Sequence, residues 1–113
     1  MMIKRTKTAN LSGEAYEQYV AQQLRMQGFR GVKITPKTSD FGADILCFDL
    51  RGNGCAIQCK YYSKPVGYKA VEETLAGARY YGCKRAILIT NNKFTKNARK
   101  GAEKLGVELY VYY

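Results

Sequence analysis

Histidine is absent from the 113 residues. That removes a His-Cys zinc finger, a Ser-His-Asp triad and any nuclease whose general base is histidine. No apolar run approaches the roughly 18 residues that a membrane helix needs. Residues 1–10 are polar and basic with no apolar stretch, so a secretory signal is not expected there. Cysteine is present at only four positions, Cys47, Cys55, Cys59 and Cys83, and no Cys-x-x-Cys pair occurs. This spacing gives little support for zinc; three of the four fall in strand-like segments, as expected of buried thiols in a reducing cytoplasm. Acidic residues are scarce. Nine Asp and Glu stand against nineteen Lys and Arg, a formal net charge of +10. A domain this basic repels itself and usually has a polyanion to bind.

What is there suffices for one domain. The chain is 46% hydrophobic and 25% charged, enough to build a core without disulfide or metal staples. Residues 1–9 read as a basic arm and residues 10–113 as a single domain. A first helix is expected to start near Asn10 or Ser12, both good cap types. Tyr16, Val20 and Leu24 recur at helical spacing, and Gly28 ends the run. A short strand follows at residues 32–35. Two more, at 44–50 and 55–62, are joined by the tight turn Arg51-Gly52-Asn53-Gly54. Val71, Leu75, Ala78 and Gly82 mark a second helix over about 68–81. The apolar run Ala86-Ile87-Leu88-Ile89 suits a buried central strand at 85–90. Thr95 caps a third helix whose buried stripe is Ala98, Ala102 and Leu105, with Gly106 at its end. Val107, Leu109 and Val111 alternate as a last strand. The order is α-β-β-β-α-β-α-β.

Chemistry concentrates on the hairpin. Alternation puts Ala56, Gln58 and Lys60 on one face of the second hairpin strand, and Ile57, Cys59 and Tyr61 on the other. The second set is core-like. The first sets an amide beside an ammonium. Asp44 opens the preceding strand, with Asp40 in the turn before it. In an antiparallel hairpin the start of one strand lies opposite the end of the other, so Asp44 reaches the neighbourhood of Gln58 and Lys60. Carboxylate and amide oxygens are hard ligands for Mg²⁺. A metal there acidifies bound water, and a lysine beside it orients that water and stabilises charge on a phosphorane-like transition state.

These residues carry a resemblance. Asp44 is followed fourteen positions later by Gln58-Cys59-Lys60, which is similar to the PD-(D/E)XK nuclease signature in its Gln-x-Lys form. Thr38-Ser39-Asp40-Phe41-Gly42-Ala43-Asp44-Ile45 and Ala56-Ile57-Gln58-Cys59-Lys60-Tyr61-Tyr62 resemble the catalytic domain of Mrr-like restriction endonucleases. So do Gly13-Glu14-Ala15-Tyr16-Glu17, Pro65-Val66-Gly67 and Thr90-Asn91-Asn92-Lys93-Phe94-Thr95. The resemblance spans roughly residues 11–110. It implies a restriction-endonuclease-like α/β fold, a mixed central sheet flanked by helices. It also implies a divalent-metal-dependent endodeoxyribonuclease that uses Mg²⁺, with Mn²⁺ able to substitute. Asp44 would be the main metal ligand, Gln58 would fill the second acidic position, and the Cys59 backbone carbonyl would be a further ligand. Lys60 would be the catalytic lysine and Glu17 an accessory ligand or water holder, with Asp40 as partial compensation for the carboxylate that Gln58 replaces.

Each of these has a plainer reading. Glu17 suits a solvated helix position, Asp40 a turn, and Asp44 with Lys60 a surface ion pair worth little. Lys96, Lys100 and Lys104 share one helix stripe, where like charges repel unless a phosphate backbone lies alongside. Lys93, Lys96, Arg99 and Lys100, with Lys64 and Lys69, are therefore assigned to DNA. Tyr61, Tyr62, Tyr80 and Tyr81 are open between core and DNA contact. The resemblance extends to Holliday junction resolvase-like structure-specific nucleases, which act as dimers. A DNA-binding module without catalysis is the alternative from another class. A domain of this size has no room for a separate DNA-reading module. Specificity would come from loops, a homodimer or another protein, with no membrane involved.

Overall fold

The computed structural model describes residues 12–36 and 41–113. The basic arm at 1–9, the cap candidate Asn10 and Asp40 lie outside the described residues. Ser12 caps α1 (Gly13–Met26), its Oγ accepting the Ala15 amide hydrogen at 3.0 Å. Tyr16, Val20, Ala21 and Leu24 form its buried stripe. Gly28, just past the helix, takes φ 97°, a left-handed conformation that favours glycine. The chain then runs through β1 (Arg30–Ile34), β2 (Ile45–Phe48), β3 (Gly54–Lys60), α2 (Tyr68–Tyr80), β4 (Arg85–Thr90), α3 (Lys96–Leu105) and β5 (Val107–Val111). The element order is the expected one.

The five strands form one mixed sheet in the order β1-β2-β3-β4-β5. β1, β2 and β3 run antiparallel, β2 and β3 joined by a tight turn at 49–53. The helical crossovers α2 and α3 make β3, β4 and β5 parallel. Strand alternation divides the core in two. Ile45, Cys47, Cys55, Ile57, Ile87 and Ile89 pack beneath α1. Ala56, Ala86 and Leu88 pack on the other face with Val71, Ala78, Ala98 and Ala102 of α2 and α3. Helices therefore cover both faces, with β3 and β4 central. Among the described residues no helix is long and apolar enough to cross a membrane.

The structure differs from the expected elements in four places, the first being β1, which runs Arg30–Ile34 rather than 32–35. The hairpin strands are shorter than 44–50 and 55–62. Asp49 leaves β2 to cap the turn, its Oδ1 accepting the amide hydrogens of Arg51 at 2.9 Å and Asn53 at 2.8 Å. Gly82 lies beyond α2, at φ 67°, because the helix ends at Tyr80. Leu105 is not on the buried stripe of α3 but is 37% exposed, in the last turn before Gly106 takes the left-handed cap.

One close approach controls where Asp44 begins. The backbone of Phe41 and Gly42 runs directly against α2 at Gly77, and a Cβ at Gly77 would overlap the Gly42 carbonyl. Gly42 itself has φ 85°, and a Cβ there would meet the Glu73 carbonyl. Helix propensity alone makes Gly77→Ala stabilising by about 1 kcal/mol. The close approach reverses the sign. Gly77→Ala is expected to destabilise by about 1–3 kcal/mol and to lower the melting midpoint by at least about 4 °C. A thermal melt showing an unchanged or raised midpoint would show that this contact is no constraint.

Candidate active site

The site is made where β2 stops short of β3. The last paired rung is Ile45 with Ile57. Asp44 then donates its amide hydrogen to the Ile57 carbonyl at 2.7 Å. Its carboxylate Oδ2 accepts the Cys59 amide hydrogen at 2.8 Å. A side chain thus takes the place that a backbone carbonyl of β2 would have filled. In a strand the amide and carbonyl of one residue point to the same side. The Cys59 carbonyl therefore faces the Asp44 side, past the end of β2.

Gln58 and Lys60 project toward α2. They line a cleft of about 580 Å³ with Phe41, Gly42, Glu73, Ala76 and Tyr80. Gln58 is 9% exposed, and its Oε1 is buried with no hydrogen-bond partner among the described residues. An acceptor held dry and unsatisfied costs on the order of 1–3 kcal/mol. A cation or a donor placed in the cleft would recover that cost. Lys60 Nζ lies 3.3 Å from Glu73 Oε1 and 5.7 Å from the centre of the Tyr62 ring. Burial favours loss of the Lys60 proton, but the Glu73 carboxylate and Tyr62 outweigh it and hold the ammonium more firmly than usual. The ion pair with Glu73 sets the Lys60 ammonium in the cleft. Lys60 and Glu73 also border a second recess of about 240 Å³ with Tyr62, Gly67 and Lys69.

The donor set suits a hard cation. Asp44 supplies a carboxylate at the end of β2, Gln58 a buried amide oxygen and Cys59 a backbone carbonyl. Among the described residues no three His, Cys, Asp or Glu side chains gather as a metal cluster. From Asp44, Gln58 and Cys59 a cation would receive one full negative charge and neutral oxygens, and would keep several waters.

The Thr90-Asn91-Asn92 segment fixes the far end of β3. Thr90 Oγ1 donates to the Lys60 carbonyl at 2.7 Å. Asn91 Oδ1 accepts the Tyr62 amide hydrogen at 2.7 Å, and its Nδ2 donates to the Tyr62 carbonyl at 3.0 Å. Thr95 Oγ1 caps α3 by accepting the Ala98 amide hydrogen at 3.1 Å. Val66 and Phe94 join in a bridge that ties the loop after β3 to the start of α3. Much of this motif holds the strand that carries Lys60.

Asp44, Gln58 and Lys60 thus lie near one end of β3, Gln58 and Lys60 in the cleft and Asp44 against the Cys59 amide. Glu17 sits on α1, on the opposite face of the sheet from Gln58. Its neighbour Tyr16 packs against Tyr61, ring centres 5.1 Å apart, so that turn of α1 reaches the same end of β3. Lys64, Lys69, Lys93, Lys96, Arg99 and Lys100 are all exposed. Arg99 donates to the Phe94 carbonyl at 2.7 Å, which ties it to the start of its own helix. Lys100 borders a groove with Tyr68, Gly101 and Lys104. The sequence reading missed Glu73. Its signal was helical spacing, since residue 73 lies three after Ala70 and four before Gly77, both on the inward face of α2.

Comparison with known proteins identifies the fold and the family. Residues 8–112 match the family model for the Mrr catalytic domain, described as a restriction endonuclease. No curated protein sequence matches significantly. Among solved structures, the chain is similar to a protein of unknown function, AF1548, with a TM-score of 0.71 and 25% identity over 85% of this chain and 56% of that one. It is similar to EndoMS in complex with double-stranded DNA, with a TM-score of 0.67 and 23% identity over 96% of this chain and 48% of that one. A repair endonuclease from Pyrococcus abyssi gives 0.62 and 20% identity, over 95% of this chain and 48% of that one. The chain spans about half the length of these structures. It has the restriction-endonuclease-like fold, and it belongs to the Mrr-type restriction endonuclease catalytic-domain family.

Proposed function

We propose that this chain is a divalent-metal-dependent endonuclease domain that hydrolyses phosphodiester bonds in DNA. The observation that carries the reading is the buried Gln58 Oε1, without a hydrogen-bond partner among the described residues, in a cleft shared with Lys60 and one strand from Asp44. Asp44, Gln58 and the Cys59 carbonyl would hold Mg²⁺ or Mn²⁺, with Glu17 and Asp40 as accessory groups. When bound, the metal would acidify a water and offset charge on phosphorus. Lys60, as an ammonium, would donate to a phosphate oxygen and favour the transition state in which that oxygen gains charge. Glu73 holds the ammonium in position. Gln58 in place of a carboxylate removes one negative charge, which weakens metal affinity and eases approach of the phosphate.

DNA as the substrate is supported by the DNA-bound EndoMS structure that the chain resembles and by the net charge of +10. Lys64, Lys69, Lys93, Lys96, Arg99 and Lys100 would contact phosphates, and a second copy or another protein would supply sequence selection. Four cysteines with no Cys-x-x-Cys pair suit a reducing compartment such as the cytoplasm.

Lys60→Ala should lower cleavage by at least about 10²-fold, the scale of losing a charge-stabilising donor, with DNA affinity near wild type. Gln58→Glu should bind metal more tightly and keep at least partial activity. Cleavage of linear, supercoiled, methylated and branched DNA with Mg²⁺ or Mn²⁺ checks both. A wild-type protein that binds DNA but cuts no form, with Lys60→Ala indistinguishable from it, would leave a binding module instead.

Phosphate contact makes affinity fall as salt rises, through release of counterions. Lys96→Glu with Lys100→Glu should weaken binding, flatten that salt slope and leave the melting midpoint unchanged. Fluorescence anisotropy from low to physiological salt reads the effect. An affinity indifferent to salt would contradict the electrostatic account.

A further inference from the structure

The cleft has one wall that the chemistry above does not use. Phe41 and Tyr80 stack face to face, ring centres 3.9 Å apart and planes 8° from parallel. Tyr81 sets its ring against Tyr80 at 84° and 4.9 Å, which braces the pair from the side. Burial does not account for the stack, because Phe41 is 44% and Tyr80 60% exposed. Both rings line the cleft that holds Gln58 and Lys60. One cavity therefore joins an aromatic wall, a buried acceptor without a partner among the described residues, and an ammonium paired with Glu73.

A nucleotide carries the matching parts. Its base is a flat π-system, its phosphate is an anion, and the sugar joins the two over a short span. We propose that the Phe41–Tyr80 stack is a platform for a nucleobase of the strand being cut, next to the phosphate that Lys60 engages. The inference rests on the nuclease reading and narrows its substrate class. A base inside an intact duplex is covered on both faces and cannot lie on a protein ring. The substrate is therefore DNA with an unstacked base beside the cut, either already unpaired or turned out on binding. Stacking tolerates any base, so the platform selects DNA form rather than sequence.

The test uses the full chain without divalent metal and a duplex bearing 2-aminopurine as a single unpaired base, compared with the same base fully paired. Wild type should quench the unpaired probe and bind that duplex more tightly than the paired one. Phe41→Ala and Tyr80→Ala should each cut that preference by about fivefold or more, the lower end of the usual loss on removing a stacking ring. Tyr80→Phe keeps the ring and should behave as wild type. No quenching or preference in wild type, or a preference unchanged in both alanine variants, would overturn the platform. Cleavage measured beside binding separates the two ideas. Cutting without quenching removes the platform alone, whereas quenching without cutting on any DNA removes the nuclease reading and leaves a base-binding cleft.

Discussion

The hydrogen bond from the Cys59 amide to the Asp44 carboxylate determines the rest of the site. It exists because β2 starts at Ile45 while β3 continues to Lys60. At that step the sheet has no neighbouring backbone to satisfy Cys59, and a side-chain oxygen fills the gap. The bond fixes the carboxylate at the sheet end, brings the Cys59 carbonyl to the same side, and leaves Gln58 and Lys60 pointing into the cleft under α2. The close contact of Gly42 with Gly77 sets the path by which the chain enters Asp44. Thr90 and Asn91 hold the other end of β3.

The charge balance follows from that geometry. Of Asp44, Gln58 and Cys59, Asp44 alone brings a full negative charge to the proposed cation position, and Gln58 brings a buried neutral oxygen. Glu73 is paired with Lys60 rather than offered to the cation. That pairing sets the lysine ammonium beside the cleft, where it would favour charge developing on a phosphate oxygen. At the opposite end of the sheet Arg85 ties Glu108 and Asp49 together, at 2.6 Å and 3.2 Å. Several of the few acidic residues are therefore spent on fixing cations of this chain, and the exposed lysines keep their charge for a polyanion.

The fold was legible because its signals are local and periodic. Tyr16, Val20 and Leu24 on α1, the apolar run of β4 and the Thr95 and Gly106 caps of α3 each act within a few residues. Leu105 misled because spacing alone does not say whether the last turn of a helix is still covered. Asp44, Gln58 and Lys60 were legible from alternation and hairpin geometry. Glu73 and the Phe41–Tyr80 stack were not, since both depend on how α2 lies across the sheet. That placement is fixed by a glycine contact between segments 35 residues apart in sequence. The Thr90 and Asn91 contacts to β3 are likewise long-range, so the motif was visible while its work was hidden.

The central claim is that Asp44 and Gln58 form one cation site at the end of β3. Diffraction from crystals grown with Mn²⁺, with data collected at its absorption edge, tests it without reference to activity. The account predicts an anomalous peak about 2 Å from an Asp44 carboxylate oxygen and from Gln58 Oε1, with Lys60 beside it. A fully occupied peak elsewhere on the molecule, with Gln58 still unpartnered, would contradict it.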